Sequence, residues 1–199
     1  MTTLPTVFIT GASSGIGATY AERFARRGHD LVLVARNKSR LDALAMRLRE
    51  QHQIAVEVLQ ADLTNSAELP ALETRLRHDA RIGIHINNAG MLQSGHFLEQ
   101  SPEAIESQIA LNITALTRLA AAIAPRLAQS GTGSIVNIGS VVGFSPEFGI
   151  SLYGATKAYV LFLSQGLAHE LSPQGVYVQA VLPAATRTEI WAHAGVDVN

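Results

Sequence analysis

The chain has 199 residues, 47% of them hydrophobic, enough for one domain with a sizeable core. Fifteen basic against sixteen acidic side chains leave a formal charge of -1, so no basic footprint is offered to DNA, RNA or an anionic membrane. Cysteine is absent, "MTTLPTVFIT" lacks the basic and long apolar regions of a signal peptide, and no apolar run approaches the ~20 residues of a spanning helix, so a cytoplasmic protein is expected.

In chain order, short β-branched runs alternate with longer stretches of helical period. "TVFIT" is followed by "GATYAERFARRG", "DLVLVA" by "SRLDALAMRLREQ", and "AVEVLQ" by a helix near 67–80. Then come "IGIHI", a long helix over about 102–129, "SIVNI", a helix over about 151–171, and "VYVQAVL". Strands are expected to begin at Thr6, Leu31, Ala55, Ile82, Ser134 and Tyr177, with "GFSPEFGI" a doubtful seventh that is left out. Unbroken apolar strands joined by crossover helices predict one α/β domain over 1–199, a doubly wound parallel sheet between two helical layers.

The unusual residues fall behind the strands. Gly11 follows the first, Arg36 the second, Asp62 the third, "NNAG" from Asn87 the fourth, Ser140 the fifth and Pro183 the sixth. Ligands of an open parallel sheet bind beyond the carboxyl ends of its strands, so these six points predict one crevice. "TGASSGIG" then reads as a phosphate loop: glycines let backbone approach a pyrophosphate, and the helix that follows presents its positive end.

The glycine spacing, Gly11, Gly15 and Gly17, resembles the T-G-x-x-x-G-x-G loop of the short-chain dehydrogenase/reductase family. "SLYGATKAYV" resembles the same family's Y-x-x-x-K pair, with Tyr153 and Lys157 four apart on one helix face. Asn112 and Ser140 complete its Asn, Ser, Tyr, Lys set, and the resemblance runs from Thr10 to Thr188. It implies a Rossmann-like fold and an NAD(P)-dependent oxidoreductase acting between a carbonyl and a secondary alcohol. Tyr153 is the expected general acid or base, Ser140 the group that orients the carbonyl, and Lys157 the cation that lowers the phenol pKa and holds the nicotinamide ribose. Asn112 is expected to position a water between Lys157 and solvent, or else to cap or kink its helix.

On the cofactor side the resemblance implicates Gly11, Ser13, Ser14, Gly15, Ile16 and Gly17 in the loop, Asp62 and Leu63, and Asn88, Ala89 and Gly90. Asp62 alternatively caps the next helix. Thr188 resembles a contact to the carboxamide, next to Pro183-Ala184 where the family usually has Pro-Gly. In "VARNKS", Ala35 stands where NAD users carry an acid; Arg36 and Asn37 follow, so NADP(H) is expected over NAD(H), unless Arg36 is a plain surface charge.

The seven histidines show no ligand spacing, and no metal is expected; His85 reads as a packed strand residue and His96 as a loop residue. Met91, Leu92, Phe144, Phe148 and Trp191 predict an apolar wall for a hydrophobic carbonyl or alcohol substrate. A dinucleotide sensor or scaffold without turnover, and a lyase or epimerase on the same sheet, stay open. Leu116, Leu119, Ala122, Val160, Leu161 and Leu163 exceed one sheet-facing stripe, which predicts a homodimer or homotetramer paired through the Asn112 and Tyr153 helices. Family relatives continue with another helix and a seventh strand, so these residues are expected to be part of a longer enzyme with its substrate-binding segment incomplete.

Overall fold

A computed structural model describes residues 4–93 and 97–184. Six parallel strands form one sheet in the order β3-β2-β1-β4-β5-β6. They are β1 Thr6–Thr10, β2 Leu31–Ala35, β3 Val56–Gln60, β4 Ile82–Asn87, β5 Gly133–Ile138 and β6 Val176–Val181. The helices are α1 Gly15–Ala25, α2 Lys38–His52, α3 Leu69–His78, α4 Pro102–Ile109, α5 Leu116–Ser130 and α6 Ser151–Leu171.

The apolar runs are strands because both sheet faces are covered. Along β1, Phe8 packs with α3 and α5 residues such as Leu72, Leu76, Leu119 and Ile123. Its neighbours Val7 and Ile9 pack on the other side with Ala21, Leu41, Leu44 and Leu48 of α1 and α2. The chain thus crosses the sheet between β1 and β4, and the order reverses there, which opens a crevice at the carboxyl ends.

Two expectations are corrected and one omission holds. The long helix is not regular: a π-helical segment, Ala110–Ala115, separates α4 from α5 and contains Asn112. "GFSPEFGI", left out of the strands, adds none: the chain there makes two 3-10 turns, Val141–Phe144 and Pro146–Phe148, and the sheet has six strands. Leu116, Leu119, Ala122 and Val160 are buried inside the chain, so they are core and not spare surface. The large apolar side chains exposed on α6 are instead Tyr159 and, at 80%, Phe162. By length and composition the run Pro102–Ser130 could cross a membrane, with mean hydropathy 1.2, yet 56% of that window is buried against the rest of the fold.

Candidate active site

At the carboxyl ends of the strands lies a cavity of about 850 Å³. Its first wall is the glycine loop. Gly11 and Gly15 have φ of +63° and +54°, which side chains disfavour. A Cβ on Gly17 would sit 2.3 Å from the Gly11 carbonyl oxygen, so the loop folds back on the first turn of α1 only with glycine there. Ser14 is the N-cap of α1 but its side chain makes no capping bond. The first N–H groups of a helix have no partner within it, and here they adjoin a cavity lined by Ser13, Ser14, Gly15 and Ile16.

The far side of the loop is held by side chains. Asn88 Nδ2 donates to the Thr10 and Gly11 carbonyls, each at 3.0 Å, and Thr10 Oγ1 accepts from the N–H groups of Asn88 and Ala89. Asn88 therefore clamps the loop to the end of β4, a structural task the sequence reading did not foresee, while Asn88, Ala89 and Gly90 all line the cavity.

At the β2 end, Arg36 is exposed and borders the cavity beside Ala35, Asn37 and Arg40. Asn37 Oδ1 accepts from Arg40 N at 3.0 Å, which caps α2. Arg40 was not among the sequence candidates; it lies in the first turn of α2, three residues past the Asn37 cap, and a second basic residue that close behind Arg36 is the signal that would have found it. Asp62 lines the cavity with Leu63, and its Oδ1 accepts from Thr64 N and Thr64 Oγ1 at 2.9 and 2.7 Å. The turn after β3 thus takes up part of the Asp62 carboxylate.

The opposite end of the cavity is chemical. Tyr153 and Lys157 lie in α6, 7% and 4% exposed, with Lys157 Nζ 5.5 Å from the phenol ring centroid. Nζ donates to the Ile138 carbonyl at 2.9 Å. Burial lowers Lys157 to about 8 and pushes Tyr153 up to about 12. The expected lowering of the phenol by Lys157 is therefore not met: desolvation is the ruling effect on both groups. Ser140, at the end of β5, accepts through Oγ from Val142 N at 3.2 Å and borders the same cavity.

Asn112 stands behind this wall, 1% exposed. Its Nδ2 donates to Met91 O and Thr156 Oγ1, at 2.9 and 3.1 Å, and its Oδ1 accepts from Met91 N at 2.9 Å. The carboxamide joins the segment after β4 to α6, and the helix around it is widened, not capped.

Met91 and Leu92 line the substrate end, as do Gln93 and Pro183. Phe144 and Phe148 do not; each is 62% exposed on the turns before α6. Thr188, Trp191 and His96 lie outside the described residues. His85 is a packed strand residue, fully buried between the Phe8 carbonyl and Asn87, and burial lowers it to about 4.

Residues 5–198 match the family model described as short chain dehydrogenase. The chain belongs to the short-chain dehydrogenase family. Among solved structures, it is 78% identical to a short-chain dehydrogenase from Sphingobium yanoikuyae in complex with NADPH, covering 98% of this chain and 77% of that one at a TM-score of 0.97. It is 68% identical to the bulky-bulky ketone specific alcohol dehydrogenase of Comamonas testosteroni, covering 94% of this chain and 74% of that one at a TM-score of 0.93. A curated relative, very-long-chain 3-oxoacyl-CoA reductase-B of Danio rerio, is 32% identical over 92% of this chain, which spans 60% of that reductase. Short-chain dehydrogenases are NAD(P)-dependent oxidoreductases, and the Rossmann-like sheet and crevice described above are those of this family.

Proposed function

We propose that the chain catalyses NADP(H)-dependent interconversion of a ketone carrying two large apolar groups and its secondary alcohol. The observation that carries this reading is the Tyr153–Lys157 pair, buried yet bordering a cavity whose other end is a bare glycine loop. The residues present fit the cofactor: bare glycine backbone at Gly11 and Gly15, both at positive φ, an α1 start without a side-chain cap, and Arg36 beside Ala35, where NAD users carry an acid. Arg36 pairs with a 2'-phosphate, and Ser13 adds a hydroxyl to it.

NADPH, when held by the glycine loop, Arg36 and Lys157, would supply the hydride for the carbonyl carbon. Tyr153 gives its phenolic proton to the carbonyl oxygen, and Ser140 Oγ hydrogen-bonds that oxygen. Lys157, charged below about pH 8, stabilises the phenolate that remains and holds the ribose. Asn112 keeps a water in line between Lys157 and solvent, which returns the proton to Tyr153. In oxidation the same steps run backwards. A sensor without turnover has no use for a lysine buried at this cost beside a phenol, which favours catalysis.

The substrate class rests on the apolar faces of Met91 and Leu92 and on the likeness to the Comamonas testosteroni enzyme. We also infer a homodimer or homotetramer that covers Phe162 on α6. Light scattering of the protein and of Phe162→Asp tests it: an assembly that the variant dissolves is expected, and a monomeric wild type contradicts it. The reaction itself is tested by ketone-dependent NADPH oxidation in wild type and Tyr153→Phe. Turnover is lost in the variant while NADPH binding stays.

A further inference from the structure

The segment that follows β4 borders the substrate end of the cavity yet pairs with no strand. Its backbone is held by two side-chain amides from the neighbouring helix. Asn112 takes both polar groups of Met91, and Gln108 Oε1 accepts from Gln93 N at 2.8 Å. Gln108 and Asn112 are four residues apart and so lie on one helix face, while Met91 and Gln93 lie on one edge of an extended chain. The two amides thus stand in for a partner strand.

Leu92 sits between these rungs. It is 6% exposed and packs with Val142 and Tyr153. The rung made by Gln108 is the second of the two that fix Leu92, and through Leu92 it reaches the phenol.

Gln108 is fully buried. Because its oxygen faces Gln93 N, its Nε2 faces elsewhere, and among the described residues that nitrogen has no hydrogen-bond partner. An unpartnered buried donor destabilises a fold, and a methionine would fill the same length without it. What glutamine offers here and methionine lacks is the carbonyl oxygen for Gln93.

We propose that Gln108 is a positioning residue for the substrate wall, fixing Leu92 against Tyr153 through the Gln93 backbone. The proposal rests on the oxidoreductase reading for its kinetic consequence but not for its geometry.

Gln108→Met and Gln108→Glu test it. With benzophenone as probe, Gln108→Met raises KM or lowers kcat so that kcat/KM falls at least about fivefold, with the Kd for NADPH within about twofold of wild type. Its Tm stays within about 2 °C of wild type, because loss of the unpartnered Nε2 offsets the Gln93 N–H left without its acceptor. Amide exchange at Gln93 accelerates at least about tenfold in the presence of intact exchange protection in β1 and β4. Gln108→Glu, protonated in this buried place, keeps an oxygen for the rung and restores exchange and kcat/KM to within about twofold. Unchanged Gln93 exchange in Gln108→Met overturns the proposal. So does an equal weakening of NADPH and ketone, or a lowered Tm that Gln108→Glu does not restore, because both mark plain packing. A wild type that reduces no ketone refutes the oxidoreductase reading instead, and exchange at Gln93 then decides the rung alone.

Discussion

The two ends of the sheet both carry hollows of comparable size, and one of them holds the chemistry. The hollow at the amino ends has a volume of about 1010 Å³ and is bordered by Asp30, Arg81, Arg126 and Tyr177. Its charges are already spoken for. Arg81 makes a two-pronged pair with Asp79, holding that carboxyl at about 2, Arg126 donates to the Leu76 and Ile82 carbonyls, and Asp30 accepts from Ala55 N. At the carboxyl ends, by contrast, a buried lysine donates to the Ile138 carbonyl, a phenol is driven up by desolvation, and a helix starts without a side-chain cap. Volume does not distinguish a site; groups whose charge or hydrogen bonding is left at a cost do.

The contrast breaks most sharply at Tyr153. Tyr153→Phe should lower kcat/KM for a ketone by about 10²–10⁴, the usual worth of a placed general acid, with NADPH affinity unchanged by titration. Lys157→Met comes next. Since burial lowers Lys157 from 10.5 to about 8, the folded chain binds that proton less well than the unfolded one. The charged lysine therefore destabilises the fold below about pH 8, and the penalty fades as pH rises to 10.5. Lys157→Met should lose activity yet gain about 2–4 °C in Tm at neutral pH, a gain that shrinks in calorimetry at higher pH. Wild-type reduction should fall off above pH 8 as the charge is lost.

Arg36→Ala sharpens the comparison at the other end of the crevice. NADPH affinity should drop about tenfold while NADH affinity holds, and an unchanged preference removes Arg36 from the phosphate site. Asn88→Ala, which frees two loop carbonyls, should cost roughly 1–3 kcal/mol of stability in denaturant titration and weaken NADPH as well. The smallest effect is expected at the amino ends: Arg81→Ala removes an exposed guanidinium from a carboxylate that Arg75 still pairs, and should shift stability by about 1 kcal/mol and leave turnover alone.

The strands were legible because burial on both faces forces unbroken β-branched runs; β1, β2 and β4 start where those runs start, while β3, β5 and β6 are displaced by one residue. The crevice followed from topology, since glycines, Arg36, Asp62 and Ser140 all trail strands. The π-helical segment was not legible: "ALNITA" has ordinary helical composition, and the shift in hydrogen bonding leaves no trace in periodicity. Nor was the division of labour among polar residues. Asn37, Asp62 and Asn88 each satisfy local backbone, which depends on loop conformations that composition does not encode. Phe144 and Phe148 were misjudged because an apolar residue near a site can as well face solvent from a short turn.

We propose that hydride transfer to a ketone takes place at the Tyr153 end of the carboxyl-edge crevice. Reduction of benzophenone with NADPH carrying deuterium at both C4 positions of the nicotinamide, followed by mass spectrometry of the alcohol, tests it directly. Wild type should place deuterium on the carbinol carbon, and Tyr153→Phe should form almost no product at saturating cofactor. Deuterated alcohol formed equally well by Tyr153→Phe, or alcohol without deuterium, would contradict the account.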